Sequence, residues 1–248
     1  MRKLNPLKAV SHALKSVFLY RLVAVRIGLF WIPLLLALGL AEQVLRKPGG
    51  NPGQFGAGEA VGLLSAVAGL IGFCAMAVAW HRFILRDEVA APLQVGSTTW
   101  RYLGNSLLIL LAMAVPLAIM VAVLALLPPL VSVIIVPAAI LAGAAAMRLS
   151  IKLPAVALGR TDFSFRDAWA ATDGNFWQII GVFALNAIVV LGLALAVIGI
   201  LQGVNLVLPA AVPYLGLALG AVAQLFYTVF NASIFTSLYG FFVEKRDY

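Results

Sequence analysis

The sequence predicts an all-α fold: a polytopic membrane bundle of six transmembrane helices plus an N-terminal amphipathic surface helix. Three observations predict it. The chain is 63% hydrophobic and only 10% charged, against roughly 45–50% and about 25% in an ordinary soluble protein. Residues 60–80, 102–147 and 174–243 carry no Asp, Glu, Lys or Arg, and about 20 apolar helical residues cross the hydrocarbon layer. Fifteen of the 17 Lys and Arg residues fall on alternate flanks of those runs.

Residues 1–20 form the surface segment. Leu4, Leu7, Val10, Leu14, Val17 and Phe18 recur at three- and four-residue steps, while Lys8, Ser11, His12 and Lys15 occupy another stripe. That pattern predicts a helix in the membrane surface with its lysines on anionic headgroups. A basic preamble that merely sets topology explains the same charges.

The first crossing is expected at 22–45. Its clean run, 27–41, is short, so Arg21 and Arg26 must bend their stems toward the headgroups. A cleaved signal peptide ending near Gly39 and Ala41 is disfavoured, because its basic region would be too long. The second crossing, 60–80, fills one uncharged run. The third and fourth, 102–127 and 131–151, are separated by Pro128-Pro129, since proline lacks the amide hydrogen and clashes with the preceding turn. The fifth and sixth, 176–201 and 214–243, are divided by the turn sequence "QGVNLVLPAAVP". At 1.5 Å per residue the sixth is about 45 Å long, so it must tilt, kink or protrude. The whole chain, 1–248, reads as one membrane domain.

Both termini are expected in the cytoplasm, because only Arg46 and Lys47 lie on the opposite side. Trp80, Trp100, Trp169 and Trp177 fall at the cytoplasmic ends, where tryptophan prefers to sit. The pI near 10 is therefore a topology signal. Nucleic acid is excluded as a partner, because the basic residues are spread over four flanks with no binding motif. Cys74 lies inside the second run and serves as a small apolar filler.

Two connections look alike. One reads "WHRFILRDE…TTWRYLGN" and the other "MRLSIKLPAVALGR…RDAWAATDGNFW". Each has an arginine at the helix exit (Arg82, Arg148), a cation four residues on (Arg86, Lys152), a tryptophan (Trp100, Trp169) and then an asparagine (Asn105, Asn175). Either an internal duplication or shared interfacial physics accounts for this. Cations spaced by four share one helix face, which makes Arg82, Arg86, Arg148 and Lys152 candidate lipid-headgroup contacts.

The second connection, the "WHRF" exit and the closing "TSLYGFFVEKRDY" resemble a group of uncharacterised six-helix inner-membrane proteins of Gram-negative bacteria. More remotely they are similar to the membrane domain of some glycerophosphoryl diester phosphodiesterases. The likeness spans about residue 75 to the C-terminus and carries no catalytic residue. It implies a bacterial inner membrane and proximity to glycerolipid.

An enzyme needs acids, bases or ligands at particular spacings. The best constellation is His81 with Asp87 and Glu88, and the plainer account makes Arg82 and Arg86 phosphate contacts with the acids pairing nearby. No metal or cofactor motif is present, so none is expected. Within the hydrocarbon, Gln224, Thr228 and Asn231 share a face of the sixth crossing. They serve either as interhelical hydrogen bonds or as a polar track for a headgroup. Gly199 and Gly203, and Gly216 and Gly220, stand four apart, a spacing that lets backbones approach, here expected within the bundle. The function expected is non-enzymatic association with membrane phospholipids at the cytoplasmic leaflet, with their movement or organisation as its further extension. The alternative is an accessory subunit packed against other membrane proteins. A membrane enzyme is the third reading.

Overall fold

The computed structural model describes residues 2–46, 55–88, 91, 93–124 and 128–247. Lys47 and the tip 125–127 lie outside the described residues. The described chain is helical without strands, and the protein is a multi-pass membrane protein.

Helix α1, Pro6–Leu19, starts where the Asn5 side chain accepts the Lys8 amide and proline takes the first helical position, whose N–H has no intrahelical partner. The first crossing is a bent pair, α2 (Arg21–Gly28) and α3 (Trp31–Leu45), whose axes differ by 50°. The other crossings are α4 (Ala57–Arg86), α5 (Ser97–Leu124), α6 (Pro128–Ser150) continued by α7 (Lys152–Ala157), α9 (Phe176–Val207) and α10 (Val212–Phe242). A short α8 (Phe165–Ala171) precedes α9, and a 3-10 turn, Pro209–Ala211, precedes α10. Gly159 and Gly174, with φ of 78° and 72°, end α7 and follow α8 in the left-handed region that glycine tolerates.

Successive crossings touch, and α10 returns to α3, so the six close a circuit in chain order. Helix α10 also crosses to α4, and α1 lies against α9 and α10. The core is concentrated at the end that carries the termini. Residues 74–81 of α4 are buried without interruption, as is almost all of α10 from Thr228 to Phe242. Beyond Val182, α9 has no buried residue, and α10 has none before Thr228.

The apolar stripe of α1 is divided between two uses. Leu4, Val10 and Val17 are buried in the protein, whereas Leu7 and Phe18 are exposed. The polar stripe is not wholly outward either, since His12 Nδ1 lies 3.0 Å from Ser237 Oγ on α10.

The glycine pairs do not serve internal packing as expected. A Cβ placed on Gly199, Gly203 or Gly220 would meet nothing within 4 Å, and on Gly216 it would meet Leu201 only at ordinary contact distance. The close approaches are made elsewhere. A Cβ at Gly28 would come 2.9 Å from Leu225, at Gly39 2.7 Å from Leu217, at Gly72 2.7 Å from Trp31, and at Gly143 it would enter the Phe183 ring.

Candidate functional site: the end carrying the termini

The four cations singled out by spacing have different surroundings. Arg148, whose side chain is only 8% exposed, donates through Nε to Thr172 Oγ1 at 2.6 Å and through Nη2 to Trp169 O and Asp173 Oδ1. Its guanidinium also lies 3.8 Å from the Trp169 ring centroid. Arg82 Nε donates to Glu88 at 2.6 Å. Arg86 donates to Leu158 O at 2.7 Å, which ties the first connection to the second, and also faces Glu88. Lys152 alone has no acidic partner among the described residues. Its ammonium lies 4.0 Å from the Phe165 ring centroid.

Arg101 lies on α5, at the far end of the first connection, and α5 packs against α7, the helix that starts at Lys152. Neither forms an ion pair among the described residues, where Arg2, Arg46, Arg82, Arg86, Arg148, Arg160 and Arg246 all do. Sequence spacing missed Arg101 as a site residue because its neighbour comes from the other connection, 51 positions away. Cations on neighbouring helices without a carboxylate partner make a positive field that suits an anion.

Arg160 is spent differently. It donates to both Asp162 oxygens and to the Tyr239 hydroxyl at 2.8 Å. Those bonds, Asp162 first, raise the arginine's pKa, and the same arginine holds the Asp162 carboxyl below the usual range. The hydrogen bond from Arg82 likewise holds Glu88 below it.

His81, Asp87 and Glu88 do not converge. His81 is fully buried, with Nδ1 2.8 Å from Thr236 Oγ1 and Nε2 3.2 Å from Tyr102 OH. The Thr236 hydroxyl proton goes to Ala232 O at 2.7 Å. Its oxygen therefore accepts from Nδ1–H, and in the neutral ring Nε2 accepts from Tyr102. Asp87 turns the chain out of α4 with φ of 53°, a left-handed conformation that aspartate adopts more readily than most residues. Among the described residues no three His, Cys, Asp or Glu side chains are grouped to hold a metal ion.

Of the polar triplet on α10, Thr228 and Asn231 are buried and Gln224 lies at the edge. The Thr228 hydroxyl donates to Gln224 O at 2.8 Å, and Asn231 donates to Tyr227 O and accepts from Asn186 of α9 at 3.3 Å. The triplet therefore contributes one interhelical bond.

The chain ends meet at this face. Arg2 donates to the carbonyls of Lys245 and Arg246 and pairs with Asp247, while its guanidinium lies 4.2 Å from the Phe241 ring centroid. Asn175 accepts the Leu4 amide at 2.9 Å and donates to Arg2 O. The paired asparagines of the two connections thus differ in role, since Asn105 only bonds back to Arg101 O in its own helix. Comparison with protein-family models, curated proteins and solved structures finds no match.

Proposed function

We propose that this multi-pass membrane protein is non-enzymatic and associates with glycerolipid at the leaflet facing the termini. In this reading the membrane is the bacterial inner membrane and the termini are cytoplasmic. The observation that carries it is that Arg101 and Lys152, cations of separate connections carried on the packed helices α5 and α7, form no ion pair among the described residues. A lipid phosphate that met both cations would gain charge-assisted hydrogen bonds. Arg82, Arg86 and Arg148 then have the separate task of holding the two connections in place, and Arg82 and Arg86, partly exposed, add to the positive field.

The test is native mass spectrometry after mild detergent extraction, comparing the natural protein with an R101Q/K152Q variant. The natural protein should retain phospholipid and the variant should lose it while remaining folded. Equal lipid retention in both would sink the proposal.

A second reading, an accessory subunit of a membrane complex, is favoured by one observation. Gly199, Gly203 and Gly220 are open on the half of the bundle away from the termini, where a partner helix can approach closely. A heavier complex in the same spectrum would favour it.

A further inference from the structure

The cations near the termini divide by partner. Arg82, Arg86, Arg148, Arg160 and Arg246 each face a carboxylate. Lys8 and Lys15 of α1 and Arg21 and Arg26 of α2 are exposed and form no ion pair among the described residues. No Asp or Glu precedes Glu42 in the sequence, so this segment holds no acid of its own. Arg21 Nη1 donates to Phe18 O at 3.4 Å, a contact that leaves its charge unmatched.

Apolar side chains are exposed among these cations. Ala9, Val10, Ala13 and Val17 mark the side of α1 that faces the protein. At about 100° per residue, Lys8 and Lys15 lie on the far side of the helix, with Leu7 and Phe18 between the two. Leu7 is 68% exposed and Phe18 61%. On α2, Ala24 and Ile27 face inward, while Leu22 and Val25 face out with an arginine on either side of them. Leu22 and Val25 belong to the first crossing, and the Phe18 ring centroid lies 6.4 Å from that of Phe226 in α10. The apolar edge is therefore continuous with the surface of membrane-spanning helices.

We infer that the outer face of α1 and α2 is a docking surface for an anionic bilayer: Leu7, Phe18, Leu22 and Val25 enter the acyl boundary while Lys8, Lys15, Arg21 and Arg26 meet phosphate headgroups. A soluble polyanion would match the charges and leave the apolar edge in water. An uncharged bilayer would cover the edge and leave four cations unmatched. The surface shares no residue with the Arg101 and Lys152 pair and does not rest on the reading built on it.

The experiment places a photocross-linker in this face, Ser11→benzoylphenylalanine, at an exposed position beside both lysines. The full-length protein is irradiated in nanodiscs of equal parts phosphatidylcholine and phosphatidylglycerol, and the lipid adducts are identified by mass spectrometry. The expected result is a lipid adduct several-fold enriched in phosphatidylglycerol over its share of the disc. Adding K8Q/K15Q/R21Q/R26Q should return the ratio to that share with adducts still formed. Should that variant fail to insert, high salt on the natural cations gives the same readout, because screening weakens the preference. Absence of a lipid adduct overturns the inference and leaves this face of α1 in water. An adduct without preference, or a preference that survives both neutralisation and salt, overturns it as well. R101Q/K152Q should leave the preference intact, so this proposal and the proposed lipid site fail separately.

Discussion

Arg148 and Thr172 are joined across the second connection, with Nε of the arginine donating to the threonine hydroxyl at 2.6 Å in a buried setting. The threonine's own proton goes to Trp169 O at 2.8 Å, so its oxygen is free to accept. Arg148 thereby fixes the turn between α8 and α9, and a lysine cannot reproduce its planar fork.

Arg148→Lys and Arg148→Gln should each destabilise the protein by about 1–3 kcal/mol, because buried acceptors lose a donor. Thermal unfolding in detergent measures this. Unchanged stability in both variants would show that the turn holds itself.

Tyr102→Phe removes the donor to His81 Nε2 and should cost about 1–3 kcal/mol, because a buried acceptor is left unmatched. Combining it with His81→Phe should cost less than the sum of the single changes. Additive losses in that double-mutant cycle would contradict the coupling inferred from the geometry.

Gly143→Ala drives a methyl into the rigid Phe183 ring and should destabilise by about 1–3 kcal/mol. Gly203→Ala, in open space, should stay within about 0.5 kcal/mol in the isolated protein. A denaturation series that ranks the two the other way would refute the packing assigned to α6 and α9.

Burial lowers the pKa of His12 from its ordinary 6.5, and the positive charge of Lys15 adds to the effect. The folded state then binds the proton less readily than the unfolded state. The stabilising contribution is complete above about pH 6.5 and is lost progressively as pH falls below it. Hydrogen exchange of α1 amides, corrected for intrinsic rates, should therefore report more opening at pH 5.5 than at 7.5. The difference should shrink in His12→Gln.

The crossings were legible because uncharged length is a property of the sequence alone. The bend between α2 and α3 falls at Leu29 and Phe30, one turn before Pro33, which supplies no amide hydrogen to the Leu29 carbonyl, a mark that reading by uncharged length passes over. The role of Arg148 was not legible, because an arginine at a helix exit looks the same whether it faces headgroups or a threonine 24 positions on. Glycine spacing misled for a related reason. Close packing requires a partner side chain opposite, and Gly28, Gly39, Gly72 and Gly143 have one while Gly199 and Gly203 do not. The two connections resemble each other in letters, yet among the described residues only the second contains extra helices, α7 and α8, and only its asparagine binds the N-terminal segment.

The contacts of residues 2–4 with segments far along the chain also set an order of events during synthesis. Arg2, Lys3 and Leu4 are made long before the groups that hold them, which are Gly174, Asn175 and residues 245–247. Helix α1 likewise packs on α9 and α10, long helices that follow it in the chain by more than 150 residues. Until those arrive, Val10 and Val17 have no protein surface to cover them, and the bilayer interface is the place where an amphipathic segment can wait. Docking of α1 thus waits for the synthesis of α9 and α10, and a chain truncated before α10 would leave α1 on the membrane.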